Sequence, residues 1–112
     1  MSEPPRIDIR LDHWEIVRDI LQKHVPQYEV WAFGSRAKCG RVAAKPYSDL
    51  DLAVITDQPL PMKTSANLSD DFSASDLPWK VDVVDWATTH ASFREIIERD
   101  KVVVQVAAKR CT

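Results

Sequence analysis

Glycine is scarce in this 112-residue chain, present only as Gly34 and Gly40, which excludes a collagen-like repeat. Cysteine is equally scarce. Cys39 and Cys111 form neither a metal-ligand spacing nor a redox motif, so a disulfide scaffold is excluded and free thiols of a cytoplasmic protein are expected. No uninterrupted apolar run exceeds four residues, the length of Val30 to Phe33, whereas a membrane span needs roughly 20. The start, Met1-Ser2-Glu3-Pro4-Pro5, is acidic and proline-rich with no apolar block behind it, so no secretory signal is expected. An excess of one charge is also missing. Fifteen Lys and Arg against 17 Asp and Glu give a net charge of −2, which supplies no global basic field to hold a polynucleotide. His13, His24 and His90 lack ligand spacing. Repeats, low-complexity blocks and linkers are absent. A single domain over residues 1–112 is expected, with 1–11 as an N-terminal arm and 107–112 as a frayed tail.

What is present is an ordinary globular balance, 45% apolar and 29% charged, with an uneven distribution of charge. Between Gly34 and Ser48 stand four bases, Arg36, Lys38, Arg41 and Lys45, and no acid. From Asp49 to Asp85 there are eight aspartates against Lys63 and Lys80. A basic loop running into an acidic cluster suits an anion held through metal ions, although surface charges also cluster by chance.

The spacing predicts a helix from Asp12, with Asp12 and Glu15 as a capping box and Ile16, Val17, Ile20 and Leu21 as its stripe, stopped by Pro26. Tyr28 to Phe33 reads as a strand ended by Gly34-Ser35. Residues 36–48 read as a polar connection, Asp49 to Ile55 as a second strand, and 62–75 as a helix of weak periodicity. Trp79 to Trp86 reads as a third strand. A second capping box, Ser92 with Glu95, opens a last helix whose buried stripe is Phe93, Ile96 and Ile97; Val102 to Val106 is a final strand or packed tail. This order predicts a two-layer α/β (α+β) domain. Trp14, Trp31, Trp79 and Trp86 are expected in the core or at a partner contact.

Side chains two apart in a strand share a face, so Asp49 and Asp51 project side by side. Two like charges that close imply a raised pKa or a cation between them. An edge strand with a solvated polar face would also accommodate them. Asp82 lies in an otherwise apolar strand, Lys80-Val-Asp-Val-Val-Asp85, and completes a carboxylate triad if that strand runs beside Asp49–Ile55. Three carboxylates and phosphate oxygens are the hard ligands that magnesium prefers, and two such ions can clamp an in-line phosphoryl displacement. Asp85, three residues on, suits a cap or surface role. Gly34-Ser35 follows a strand directly. A simple tight turn and a phosphate-holding turn both fit it, and Arg36 beside it can reach a triphosphate or pair with an acid.

Three segments carry a resemblance: Trp31-Ala-Phe-Gly-Ser-Arg-Ala37, Lys45-Pro-Tyr-Ser-Asp-Leu-Asp-Leu52 and Leu77-Pro-Trp-Lys-Val-Asp-Val-Val-Asp-Trp86. Together they resemble the polymerase-beta-type nucleotidyltransferase superfamily, and over residues 12–106 its smallest branch, the minimal nucleotidyltransferases. The resemblance implies the nucleotidyltransferase fold, a mixed β-sheet with helices packed mainly on one face. It implies that Asp49, Asp51 and Asp82 bind two magnesium ions and are catalytic, with Asp82 near the acceptor oxygen. It implies that Gly34 and Ser35, with Arg36, hold a nucleoside triphosphate, ATP being the expected one. Thirteen residues separate Ser35 from Asp49, a small loop insertion that touches the roles of Arg36 and Lys38.

The resemblance also implies a small all-helical partner of HEPN type, encoded nearby, in a toxin–antitoxin pair. The expected function is transfer of AMP from ATP to a hydroxyl of that partner, within a homo- or hetero-oligomer. Two alternatives stand beside it: a non-catalytic antitoxin that neutralises by contact, and a small-molecule, antibiotic-type adenylyltransferase. A nucleic-acid-binding module fits worst, because the charge balance and the lack of an aromatic–basic face oppose it.

Overall fold

The computed structural model describes residues 9–34 and 49–107. The expected connection over 36–48, the distal arm and the tail from 108 lie outside the described residues. The element order is α1 (Leu11–His24), β1 (Glu29–Phe33), β2 (Leu50–Ile55), α2 (Met62–Ala74), β3 (Val81–Asp85), a 3-10 turn (Trp86–Thr88), α3 (Ala91–Asp100) and β4 (Val102–Gln105). The strands form one mixed sheet in the order β3-β2-β1-β4. β1 runs antiparallel to β2 and β4, and β2 runs parallel to β3. Among the described residues no helix is long and apolar enough to cross a membrane.

Period-two alternation divides the two faces of the sheet. Val30, Ala32, Leu50, Leu52 and Val54 point to one side and meet Trp14, Val17 and Leu21 of α1 and Leu68 and Phe72 of α2. Each fully buried Leu or Val there contributes on the order of 1.5–3 kcal/mol. Trp31, Phe33 and Ala53 point to the other side and meet Ile97 of α3. Two helices therefore cover one face, and the shorter α3 covers part of the other. Pro26 ends α1 as expected, because a residue before proline is driven out of the helical region, and Val25 closes the last turn by donating to the Leu21 carbonyl at 2.8 Å.

Several local expectations need correction. Neither capping box forms. The N-cap of α1 is Arg10, which instead pairs with Asp12 at 3.1 Å, and the N-cap of α3 is His90, which leaves Ser92 inside the first turn. In each case the helix begins one residue before the expected cap, so the capping side chain sits too far in to reach back. The arm also ends early: Leu11 is helical and Ile9 packs against the core. The expected buried stripe of α3 is reduced to Ile97, while Phe93 and Ile96 are exposed. α3 contacts the sheet along a narrow line, and its placement relies on Arg94. That guanidinium donates to the Trp86 carbonyl at 2.6 and 3.1 Å and lies over the Trp86 ring.

Asp85 takes the capping role expected of it and also joins several segments. Its carboxylate accepts from the Ala87 amide at 3.2 Å, from the Leu60 amide at 2.7 Å and from the hydroxyl of Thr56, which is buried. These bonds tie the ends of β2 and β3 to the loop that leads into α2. On the far side, His24 of α1 lies 2.5 Å from Asp71 of α2 and Lys23 lies 3.4 Å from it. The hydrogen bond with His24, then the Lys23 charge, holds the Asp71 carboxyl below its usual range.

Candidate active site

Gly34 leaves β1 with φ +80°, a conformation that glycine adopts without steric cost. Its open side is filled by a carboxylate. A Cβ added at Gly34 would run into the Asp51 side chain. The reason lies in the sheet: Phe33 is the register partner of Asp51, so the residue after Phe33 turns across the Asp51 carboxylate. Asp51 is in turn the register partner of Asp82 on β3. Three neighbouring strands thus present Gly34, Asp51 and Asp82 side by side, on the face that α3 covers only in part.

These residues line a cleft of about 590 Å³. Phe33, Val83 and Val84 form its floor, and Phe93, Ile96, Arg99 and Asp100 of α3 form its wall. Phe33 and Phe93 meet edge to face with centroids 5.6 Å apart. Burial, followed by the charges of Asp82 and Asp49, raises the Asp51 pKa to about 6. Asp82 is exposed at the sheet edge.

The three expected acids are not placed alike. Asp51 and Asp82 are brought together, but Asp49 precedes β2, is exposed, and is not in the cleft lining. Among the described residues no three carboxylate, imidazole or thiol side chains converge into a ready ligand set for a metal. Like charges without a counter-ion lower their energy by splaying apart, and the third carboxylate is felt by Asp51 only through its charge. The donor chemistry still fits a hard divalent cation, since Asp51 and Asp82 offer oxygens into a cleft open to water and to phosphate oxygens. Ser35 and Arg36 lie outside the described residues.

The α3 wall escaped the sequence reading. Phe93 and Ile96 read as core because their spacing is that of a buried stripe, and Arg99 and Asp100 carry no motif. The available signal was the narrowness of that stripe: Ile97 is the one buried side chain of a ten-residue helix. Its apolar neighbours were then left to face the acids.

Residues 15–108 match the family described as Polymerase beta, Nucleotidyltransferase. The chain is 51% identical over 109 residues to the probable protein adenylyltransferase MntA of Haemophilus influenzae, covering 97% of this chain and 93% of that one. Among solved structures, a toxin–antitoxin complex with AMP-PNP shares the fold at TM-score 0.64 and 22% identity, over 81% of this chain and 71% of that chain. A chain from the complex of a tri-AMPylated Shewanella oneidensis HEPN toxin with MNT antitoxin shares the fold at TM-score 0.62 and 18% identity, over 86% of this chain and 71% of that chain.

Proposed function

The chain belongs to the polymerase beta nucleotidyltransferase family, and on that premise we propose that it transfers AMP from ATP to a hydroxyl of a small helical partner of HEPN type, acting as the antitoxin of a cytoplasmic pair. The observation that carries this reading is the alignment of Gly34, Asp51 and Asp82 across three adjacent strands of one cleft. Identity to a probable protein adenylyltransferase supports the reaction class. The shared fold with antitoxins bound to HEPN toxins supports the partner.

In this reading Gly34, with Ser35 and Arg36, holds the β and γ phosphates. The missing Cβ at Gly34 lets the chain turn against Asp51, which sets the phosphate-holding turn directly beside the acids. Asp51 and Asp82, joined by Asp49, would hold two magnesium ions. Such ions neutralise phosphate charge and stabilise the entering and leaving oxygens of an in-line displacement. Asp51 has the most buried carboxylate of the set, so its charge is the least screened and the most strongly satisfied when a cation arrives. Asp82 at the exposed edge stands where an acceptor can reach it and takes the acceptor's proton.

The test is an intact-mass assay. The chain is produced together with the protein encoded beside it, and any complex is incubated with ATP and magnesium. A gain of one or more AMP units on the partner, abolished by Asp51→Asn, is the expected result. A stable complex without a mass gain with any of the four nucleotides would replace transfer by neutralisation through contact.

A further inference from the structure

We propose that the groove between α2 and the edge of β3 that no described strand pairs is the acceptor site, and that it binds an extended, hydroxyl-bearing segment of the partner protein. This deepens the reading above and rests on it. The sheet order places β3 at an edge, with Gly34, Asp51 and Asp82 following one another from β1 outward. In-line displacement at phosphorus needs the attacking and leaving oxygens on opposite sides. With the terminal phosphates held at Gly34, pyrophosphate departs over β1. The attacking oxygen must then arrive from beyond β3.

Beyond β3 lies a groove of about 430 Å³. Ser69 and Ser73, one helical turn apart on α2, line it, and Phe72 and Trp79 give it a buried apolar floor. Lys80 is exposed on its rim. Asp82 lines both this groove and the cleft described above and is the one residue that they share among the described residues. The groove and the cleft therefore meet at Asp82, at the edge of the sheet. The Lys80 carbonyl accepts from the Leu50 amide at 2.9 Å, so it faces β2. Alternate residues of a strand turn their backbone groups to opposite sides, which directs those of Val81 and Val83 outward, where an extended peptide can add as a further strand.

The lining also selects among acceptors. Lys80 beside a single carboxylate disfavours a polycationic antibiotic and favours a peptide with an acidic residue near its hydroxyl. In the step itself the acceptor oxygen bonds to the α-phosphorus and the bond from that phosphorus to the bridging oxygen breaks. Pyrophosphate leaves with the electron pair, and the acceptor's proton passes to Asp82.

The test uses the full chain with its helical partner, Mg·ATP, and two variants, Ser73→Trp to fill the groove and Lys80→Glu to invert its rim charge. Met62→Trp, exposed at the other end of α2, is the control. Both variants are expected to raise KM for the partner at least tenfold, while KM for ATP and the affinity for α,β-methylene-ATP stay within twofold. Lys80 is exposed, so Lys80→Glu keeps the test open should Ser73→Trp fail to fold. An unchanged KM for the partner in a folded variant would overturn the groove assignment and leave AMP transfer intact. Equal losses in both KM values would also overturn it. Absence of transfer by the unsubstituted chain would overturn the underlying reading instead.

Discussion

Replacing Asp51 by Asn should make the metal-free protein more stable at neutral pH, an unusual outcome for a residue at the centre of a site. The folded chain raises the Asp51 pKa from 3.8 to about 6. The folded state therefore holds that proton more tightly than the unfolded state. Stability is highest from this group below about pH 4, declines as pH rises from there to about 6, and carries the full penalty above. The gap corresponds to about 3 kcal/mol if fully expressed. Asp51 is only half-buried, and screening by water reduces the penalty to about 1 kcal/mol. For a chain of this size that is about 4 °C in Tm. Unfolding is followed by tryptophan fluorescence in the presence of a chelator at pH 7.5, 6 and 5. Asp51→Asn should melt above the unsubstituted chain at pH 7.5, with the gap narrowing as pH falls. Magnesium should raise the Tm of the unsubstituted chain and not that of the variant. A variant that melts lower at pH 7.5, or a gap that ignores pH, would refute the view that burial and the neighbouring carboxylates penalise the ionised Asp51.

Gly34→Ala combines a positive φ with a collision at Asp51, so it should lose about 1–3 kcal/mol in urea unfolding and weaken nucleotide binding in a calorimeter. Asp85→Ala strands the Leu60 amide and the Thr56 hydroxyl and should cost about 2–4 kcal/mol by the same unfolding assay, with Asp85→Asn recovering part of it. Ile97→Ala should cost about 2–4 kcal/mol and Ile96→Ala less than about 1, which checks the corrected face of α3 by thermal melts. The lowered pKa of Asp71 contributes stability above its ordinary value, lost as pH falls through the folded one; the deficit of Asp71→Asn in urea midpoint should therefore be present at pH 7 and shrink toward pH 3.

The sheet strands were the most legible part of the chain, because alternation in Leu50-Asp-Leu-Ala-Val-Ile55 separates a core face from an acidic one without reference to neighbours. The pairing of Asp51 with Asp82 was legible only conditionally, since strand adjacency is a long-range property. The helix starts were misread by one residue. Ser and Asp followed by Glu is a statistical signature, and the backbone entered each helix earlier, with Arg10 and His90 at the caps. The α3 wall was illegible because it arises between elements distant in sequence, and the groove beside β3 because the angle at which α2 packs on the sheet has no local spacing to record it. Asp49 shows a limit of motif reading, because alternation placed it beside Asp51 whereas β2 begins only at Leu50 and leaves it exposed ahead of the strand.

The parallel register of β2 and β3 also governs how insertions and deletions should be tolerated. The two carboxylates meet because the two strands run in phase, and a one-residue shift in either would turn one acid toward the α1–α2 core. Residues 62–74 between them have a phase of their own, because Leu68 and Phe72 must face the sheet together. A library of single-codon insertions should therefore show three intolerant blocks, 50–55, 62–74 and 81–85, with the last guarded by Asp85. Changes in length are confined to the connections, while both strands stay locked to a common frame.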